Sequence, residues 1–177
     1  MKKVHIIALL LGLFLASCNS GPSLQKYFVE KTEDKNFVAI DLSAGMLNLD
    51  KSKVTVEQAE ALKSFDKMNI LAFKKESSNA AQYDAEKTQV KEILKNKKYQ
   101  ELMKFGSGSS GASLSFVGDE DHIEEFVLFA NQNENGFAVV RILGKDMNPN
   151  GIVTILSVLK DANVDLKQLE PLQQMIK

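Results

Sequence analysis

Asn135-Gly136, set between the apolar runs Ile123 to Ala130 and Phe137 to Leu143, constrains the fold more than any other pair of residues in the chain. Tight hairpin turns need positive φ, which Asn and Gly adopt at little cost, so Asn-Gly between two apolar runs signals antiparallel neighbours. The same reasoning extends one strand back, where Ala112 to Val117 is separated from Ile123 by the polar turn Gly118-Asp119-Glu120-Asp121. A C-terminal three-strand meander follows. In its middle strand Phe126, Leu128 and Ala130 point opposite to Val127 and Phe129, so both faces are apolar and the strand belongs inside a sheet, not at its edge.

Upstream, Pro22-Ser23 opens a helix to about Thr32 with Leu24, Tyr27, Phe28 and Lys31 on one face. Phe37 to Leu42 reads as a strand from its aromatic and β-branched residues, and a loop runs from Ser43 to Asp50. Thr55-Val56-Glu57-Gln58 is a capping box for a helix to about Lys67, with Val56, Ala59, Leu62 and Phe65 as its buried stripe. Met68 to Phe73 is the second strand. The longest helix begins near Ala81, turns Tyr83, Val90, Ile93 and Leu94 inward, and breaks at Asn96-Lys97-Lys98. A second helical piece, Tyr99 to Met103, leads into Gly106 to Gly111, a flexible connection. After the meander, Gly144 to Gly151 leads to a helix from Ile152 to about Lys160, and Asp165 to Lys177 forms a short terminal helix. Together these elements predict an α+β fold: about five strands in a mostly antiparallel sheet, with the helices mainly on one face.

The N-terminus has a different character. Lys2 and Lys3 precede an apolar run from Val4 to Leu15, interrupted only by His5 and Gly12, in the manner of a secretory leader. At about 12 residues the run is shorter than the roughly 20 a spanning helix requires. Leu15-Ala16-Ser17-Cys18 then resembles the lipobox of bacterial lipoproteins, which predicts cleavage between Ser17 and Cys18 and acylation of Cys18. Cys18 is the chain's one cysteine and has no disulfide partner. A single acyl chain holds a protein to a membrane only marginally, at ~0.8 kcal/mol per buried CH₂, whereas two or three hold it stably. The expected organisation is a leader over residues 1–17, a lipidated tether over 18–22 and a single domain over 23–177. The tether of about five residues reaches at most ~18 Å, which keeps the domain near the bilayer. No acidic cluster follows Cys18, which favours the periplasmic side of an outer membrane.

Composition removes several classes of function. Lys2 and Lys3 account for two of the 22 basic residues, so the mature chain is slightly acidic and lacks the basic field that nucleic-acid binding needs. Arg141 is the one arginine, which argues against bidentate capture of phosphate or carboxylate groups. His122 is the one histidine after the leader, so neither a His/Cys metal site nor a Cys/His pair can be assembled. No cofactor is expected. Gly106 to Gly111 fits G-x-G-x-x-G, but a dinucleotide site needs that turn between a strand and a helix, the reverse of the order predicted here. Asp146, Asn148 and Asn150 match the first half of a calcium loop and are weak metal candidates. Ser157 stands where the bidentate Glu belongs, and Pro149 and Asn150 serve equally as a turn and a helix cap. Asn131, Asn133 and Asn135 fail in the same way, with Ile142 at the twelfth position. The acidic cluster Asp119, Glu120, Asp121, Glu124 and Glu125 surrounds a solvated turn, where carboxylates keep ordinary acidity.

From Tyr99 onward the order of pieces resembles domain-of-unknown-function family 4252, bacterial lipoproteins found mainly in Bacteroidetes. Lys98-Tyr99-Gln100-Glu101-Leu102-Met103 is similar to that family's Tyr-Glu-Glu-Leu-Met segment, His122 to Leu128 to its Ile-x-Glu-Leu strand, and Val140 to Asp146 to its strand ending in Gly. The strand and loop from Phe37 to Leu49, and the lipobox, fit as well. The resemblance implies a lipidated envelope domain with no established activity and no catalytic residues to carry over, in an envelope-stress setting. The leading expectation is a non-enzymatic binding module held to the membrane through the lipid on Cys18, with an envelope protein as partner and no nucleic acid. The alternatives are a hydrolase or small-ligand protein using Ser43, Ser115 or Asp41, and a cation-dependent adhesin.

Overall fold

The computed structural model describes residues 21–46, 54–107 and 110–161. The lipobox, with Ser17 and Cys18, and the terminal helix expected from Asp165 lie outside the described residues. In chain order the elements are α1 (Leu24–Lys31), β1 (Phe37–Ser43), α2 (Val56–Lys63), β2 (Phe65–Lys74), α3 (Ala80–Leu94), β3 (Gln100–Ser107), β4 (Ser110–Asp119), β5 (His122–Gln132), β6 (Gly136–Met147) and α4 (Pro149–Asp161), with short 3₁₀ turns at Ala44–Met46 and Ser77–Asn79.

The local signals explain most of these boundaries. Ser23 caps α1 by accepting from the Lys26 amide, and Leu24, Tyr27 and Phe28 form its buried stripe. The capping box of α2 is complete: the Gln58 amide donates to Thr55 Oγ1 at 3.2 Å and the Thr55 amide to Gln58 Oε1 at 2.9 Å. The helix ends at Lys63, before the expected Lys67, because Phe65 is taken into β2. Val56, expected on the buried stripe, is 81% exposed, while Ala61 and Leu62 pack against the core.

The strands form one open sheet of six in the order β1-β2-β6-β5-β4-β3, antiparallel at every pairing. The count exceeds the expected five because the segment read as helical from Tyr99 to Met103 is largely strand. Gln100–Ser107 pairs with β4, and Gly106 to Gly111 is the hairpin connection, with Gly106 opposite Gly111. The meander therefore has four strands, not three. Gly106 has φ +71, and a Cβ there would lie 2.6 Å from the Ser110 carbonyl oxygen, so the turn depends on glycine. β5 is interior as expected, paired on both sides.

The helices divide between the two faces and are not mainly on one. On the first face, α1 and α3 cover a core that includes Phe37, Leu71, Phe73, Val127, Phe129, Phe137 and Val139. On the second, α2 and α4 cover Leu42, Met68, Phe116, Phe126 and Ile142, with Ile152 and Ile155 of α4 buried among them. Both faces need cover because the interior strands are apolar in both directions. On the first face the paired residues Phe37, Phe73 and Phe137 form an aromatic row: Phe37 meets Phe73 edge-on at 5.0 Å, and Phe73 stacks on Phe137 at 5.6 Å. Such pairs add about 0.5–1.5 kcal/mol each beyond area burial. Since β2 lies beside β6 in the sheet and β3 at the far edge, α3 carries the chain across the first face to reach it.

Candidate functional site

The first face changes character across the sheet. One cross-strand row runs Phe37, Phe73, Phe137, Asn131, Gly111, Gly106, and the next Ala39, Leu71, Val139, Phe129, Ser113, Lys104. Bulk is concentrated over β1, β2, β6 and β5, where α1 and α3 sit. Over β4 and β3 these rows fall to Gly111, Gly106 and Ser113 beside Lys104, and the C-terminal half of α3 stands beside the resulting hollow. The groove so formed has a volume of about 360 Å³, with Lys91, Leu94 and Lys95 of α3 on one wall, Lys104 of β3 on the other, and Ser113 on its floor. That volume is at the small end of ligand sites.

Charge on the rim is unbalanced. Lys95 bonds to Glu92 at 2.6 Å, but Lys91 and Lys104 form no ion pair among the described residues. Glu101 is the one acid lining the groove. Two uncommitted ammonium groups over a floor of hydroxyl and glycine backbone suit an anion, and Leu94 and Phe129 offer apolar contact beside it. A second cleft of about 290 Å³, lined by Pro22, Lys26, Glu30 and Gln89, lies at the start of α1. Its lining carries both signs of charge.

The lone arginine is committed to structure. Arg141 and Glu125, on the first faces of β6 and β5, are both buried. Arg141 Nε donates to Glu125 Oε1 at 2.6 Å and Nη1 to Gln25 Oε1 at 2.7 Å, and the guanidinium lies over the Phe28 ring at 5.4 Å. Arg141 thus clamps α1 to the sheet. A second buried acid ties α1 to α3: Glu86 accepts from the Tyr27 hydroxyl at 2.9 Å and from Lys31 Nζ at 2.5 Å. Burial, and then the Glu86 carboxylate, push the Tyr27 hydroxyl far above the usual tyrosine range.

The residues singled out in the sequence are placed apart. Asp41 lies on β1 and Ser115 on β4. Four strand spacings of ~4.8 Å, or ~19 Å, separate them, too far for joint chemistry. Ser43 ends β1. Asp146, Asn148 and Asn150 do not point to a common centre. Asp146 accepts or shares a proton with His122 Nδ1 at 2.8 Å, while Asn148 Oδ1 accepts from the Gly151 amide at 2.7 Å. The cap of α4 is therefore Asn148 instead of the expected Asn150, and Pro149 takes the first helical position, where its missing N–H costs nothing. Asn133 Oδ1 likewise accepts from Tyr83 and Lys87. Among the described residues no group of three or more His, Cys, Asp or Glu side chains is placed to hold a metal ion, and no helix is long and apolar enough to cross a membrane.

His122 is fully exposed, and its pKa is raised above 6.5 first by the hydrogen bond its imidazolium donates to Asp146 and then by that carboxylate's charge, with Asp121 and Asp119 adding to it. A raised folded-state pKa stabilises the fold below the ordinary histidine value and loses that contribution as pH rises through the folded value. Exposure keeps the energy small, so the test is a titration. The NMR midpoint of His122 should lie above the ordinary value and fall towards it in Asp146→Asn. An unchanged midpoint would show that Asp146 is not the cause.

The groove was not marked in the sequence, because Gly106 to Gly111 reads as a connection until the pairing of β3 with β4 is known. Its one legible sign was a small-residue stretch, Gly106 to Ser113, following a lysine-rich helix end. No curated protein matches the chain, and no solved structure does. The family model described as Domain of unknown function (DUF4252) matches residues 27–155, a span from α1 to α4 that takes in the whole sheet and both walls of the groove, and the chain belongs to that family.

Proposed function

We propose that this is a lipid-anchored envelope protein whose domain binds rather than catalyses, and that the groove between α3 and β3–β4 takes an anionic ligand with an apolar portion. The observation that carries the reading is that Lys91 and Lys104, neither in an ion pair among the described residues, line one groove over a floor of small residues. Lysine is suited to this as a mobile point charge that accepts carboxylate or phosphate without a fixed fork. Anchoring at Cys18 keeps the groove near the membrane surface, where such ligands are presented by lipids and envelope glycans.

The test is calorimetric titration of the chain, carrying Cys18→Ser so that it stays in solution, with hexyl phosphate and with hexanol. Hexyl phosphate should bind saturably and more weakly as salt rises, and hexanol should not. Each lysine contact contributes on the order of 1 kcal/mol. Lys91→Gln combined with Lys104→Gln should therefore weaken binding by at least about tenfold. Equal binding of both compounds, or no effect of the double substitution, contradicts the reading.

A further inference from the structure

β3 stands at one end of the sheet and pairs, among the described residues, with β4 alone. Lysines and bulges on such an edge ordinarily block pairing with a second chain. β3 carries one of each, and their positions favour a particular pairing. The bulge decides which face each side chain takes. Glu101 pairs with Ser115, in a row with Val127, and Lys104 pairs with Ser113, in a row with Phe129, so both belong to the first face. Gln100 pairs with Phe116, Met103 with Leu114 and Phe105 with Ala112, which places them on the second. Leu102, the extra residue where the register shifts, also packs into the core of the second face. From Gln100 to Phe105 the order of faces is therefore second, first, second, second, first, second.

That order reads the same in both directions, with its centre between Leu102 and Met103. A second copy laid antiparallel on β3 about a two-fold axis at this centre matches every side chain to the correct face. It sets Gln100 opposite Phe105, Glu101 opposite Lys104 and Leu102 opposite Met103, each pair made twice. Glu101 and Lys104 are both exposed, and neither has an ion pair among the described residues. Directly opposed residues of an antiparallel pair have Cβ atoms about 4.5–5.5 Å apart, within reach for a carboxylate and an ammonium group. A register centred on Lys104 would instead set two ammonium groups against each other, and like charges so placed are unfavourable. The same lysine thus opposes one register and supports the other.

We propose that two copies of this chain pair through β3 in the register that sets Glu101 of each against Lys104 of the other, joining two six-strand sheets edge to edge. The interface is isologous and closes on itself, because each copy spends the same edge. Its strand contact runs from Gln100 to Phe105 and is shorter than a standard interface of about 800 Å² per partner, so the association is reversible. Lys104 also lines the groove, so pairing and anion binding compete for it.

The test is sedimentation equilibrium of the full chain carrying Cys18→Ser, without hexyl phosphate, which should show a monomer and a dimer in exchange. Glu101→Lys and Lys104→Glu each convert both ion pairs into like-charge pairs and should raise the dimer dissociation constant by at least about tenfold. Combining the two substitutions in one chain restores opposite charges and should return the constant to within about threefold of its starting value. An equimolar mixture of the two single variants should form a mixed dimer that neither forms alone. A chain that stays monomeric at every concentration reached would overturn the proposal. A dimer indifferent to the single substitutions would overturn it too, as would a combined variant no better than either single one.

Discussion

Arg141→Ala lowers the unfolding free energy by about 3–5 kcal/mol, the cost of leaving a buried carboxylate without its partner. Arg141 and Glu125 side chains are 6% and 11% exposed, so water cannot replace the lost guanidinium. The same substitution also removes the bond to Gln25 and the contact with Phe28, both on α1. Against a typical total of about 5–15 kcal/mol the loss is large. It should appear in urea denaturation as a lower midpoint with the slope little changed. Arg141→Lys should recover only part, because an ammonium group cannot span Glu125 and Gln25 with the geometry of the guanidinium fork. Replacing both partners, Arg141→Met with Glu125→Leu, should return stability to within about 1–2 kcal/mol of the native chain, since removing both charges also removes the cost of burying them. A double variant as unstable as Arg141→Ala would show that the loss comes from packing around α1 and not from an orphaned charge.

The single arginine illustrates what sequence conveys and what it withholds. Its scarcity argues against ligand capture through guanidinium groups, and the structure buries Arg141 against Glu125 and Gln25. What Arg141 does instead depends on register: Val127 lies directly opposite it, and Glu125, two residues back on the same face of β5, is its diagonal neighbour. Short-range chemistry was legible elsewhere. The capping box at Thr55, the stripe of α1, both strands before the meander, the interior position of β5 and the turn at Asn135-Gly136 all follow from residues close in sequence. Gly136 shows the constraint at full strength: its φ is +133, and a Cβ would meet the Phe73 carbonyl oxygen at 1.9 Å.

The misread segment is Tyr99 to Met103. Glu, Leu and Met favour helix when considered alone, yet here pairing with β4 decides the conformation, and Leu102 sits in a bulge where the register shifts. That one error hid both the sixth strand and the groove, because the hollow exists only once Gly111 and Ser113 lie beside Lys104. The distribution of helices over two faces was equally hidden. α2 has few apolar residues to mark a buried side, and α4 finds its place by packing against α2, a contact distant in sequence.

Anchoring at Cys18 gives the other large expected effect. Two or more acyl chains hold a protein stably at a bilayer, and the proposed acylation of Cys18 rests on the resemblance of residues 1–18 to a lipoprotein leader. Cys18→Ser should therefore abolish incorporation of a labelled fatty acid and move essentially all of the protein from the membrane fraction into the soluble one, while the folded domain keeps its affinity for hexyl phosphate. The most direct measurement is the intact mass of the native chain extracted from membranes. The account predicts a chain that begins at Cys18 and carries a diacylglyceryl group on its sulfur. A mature chain with a free thiol at Cys18, or one cut at another position, would contradict it.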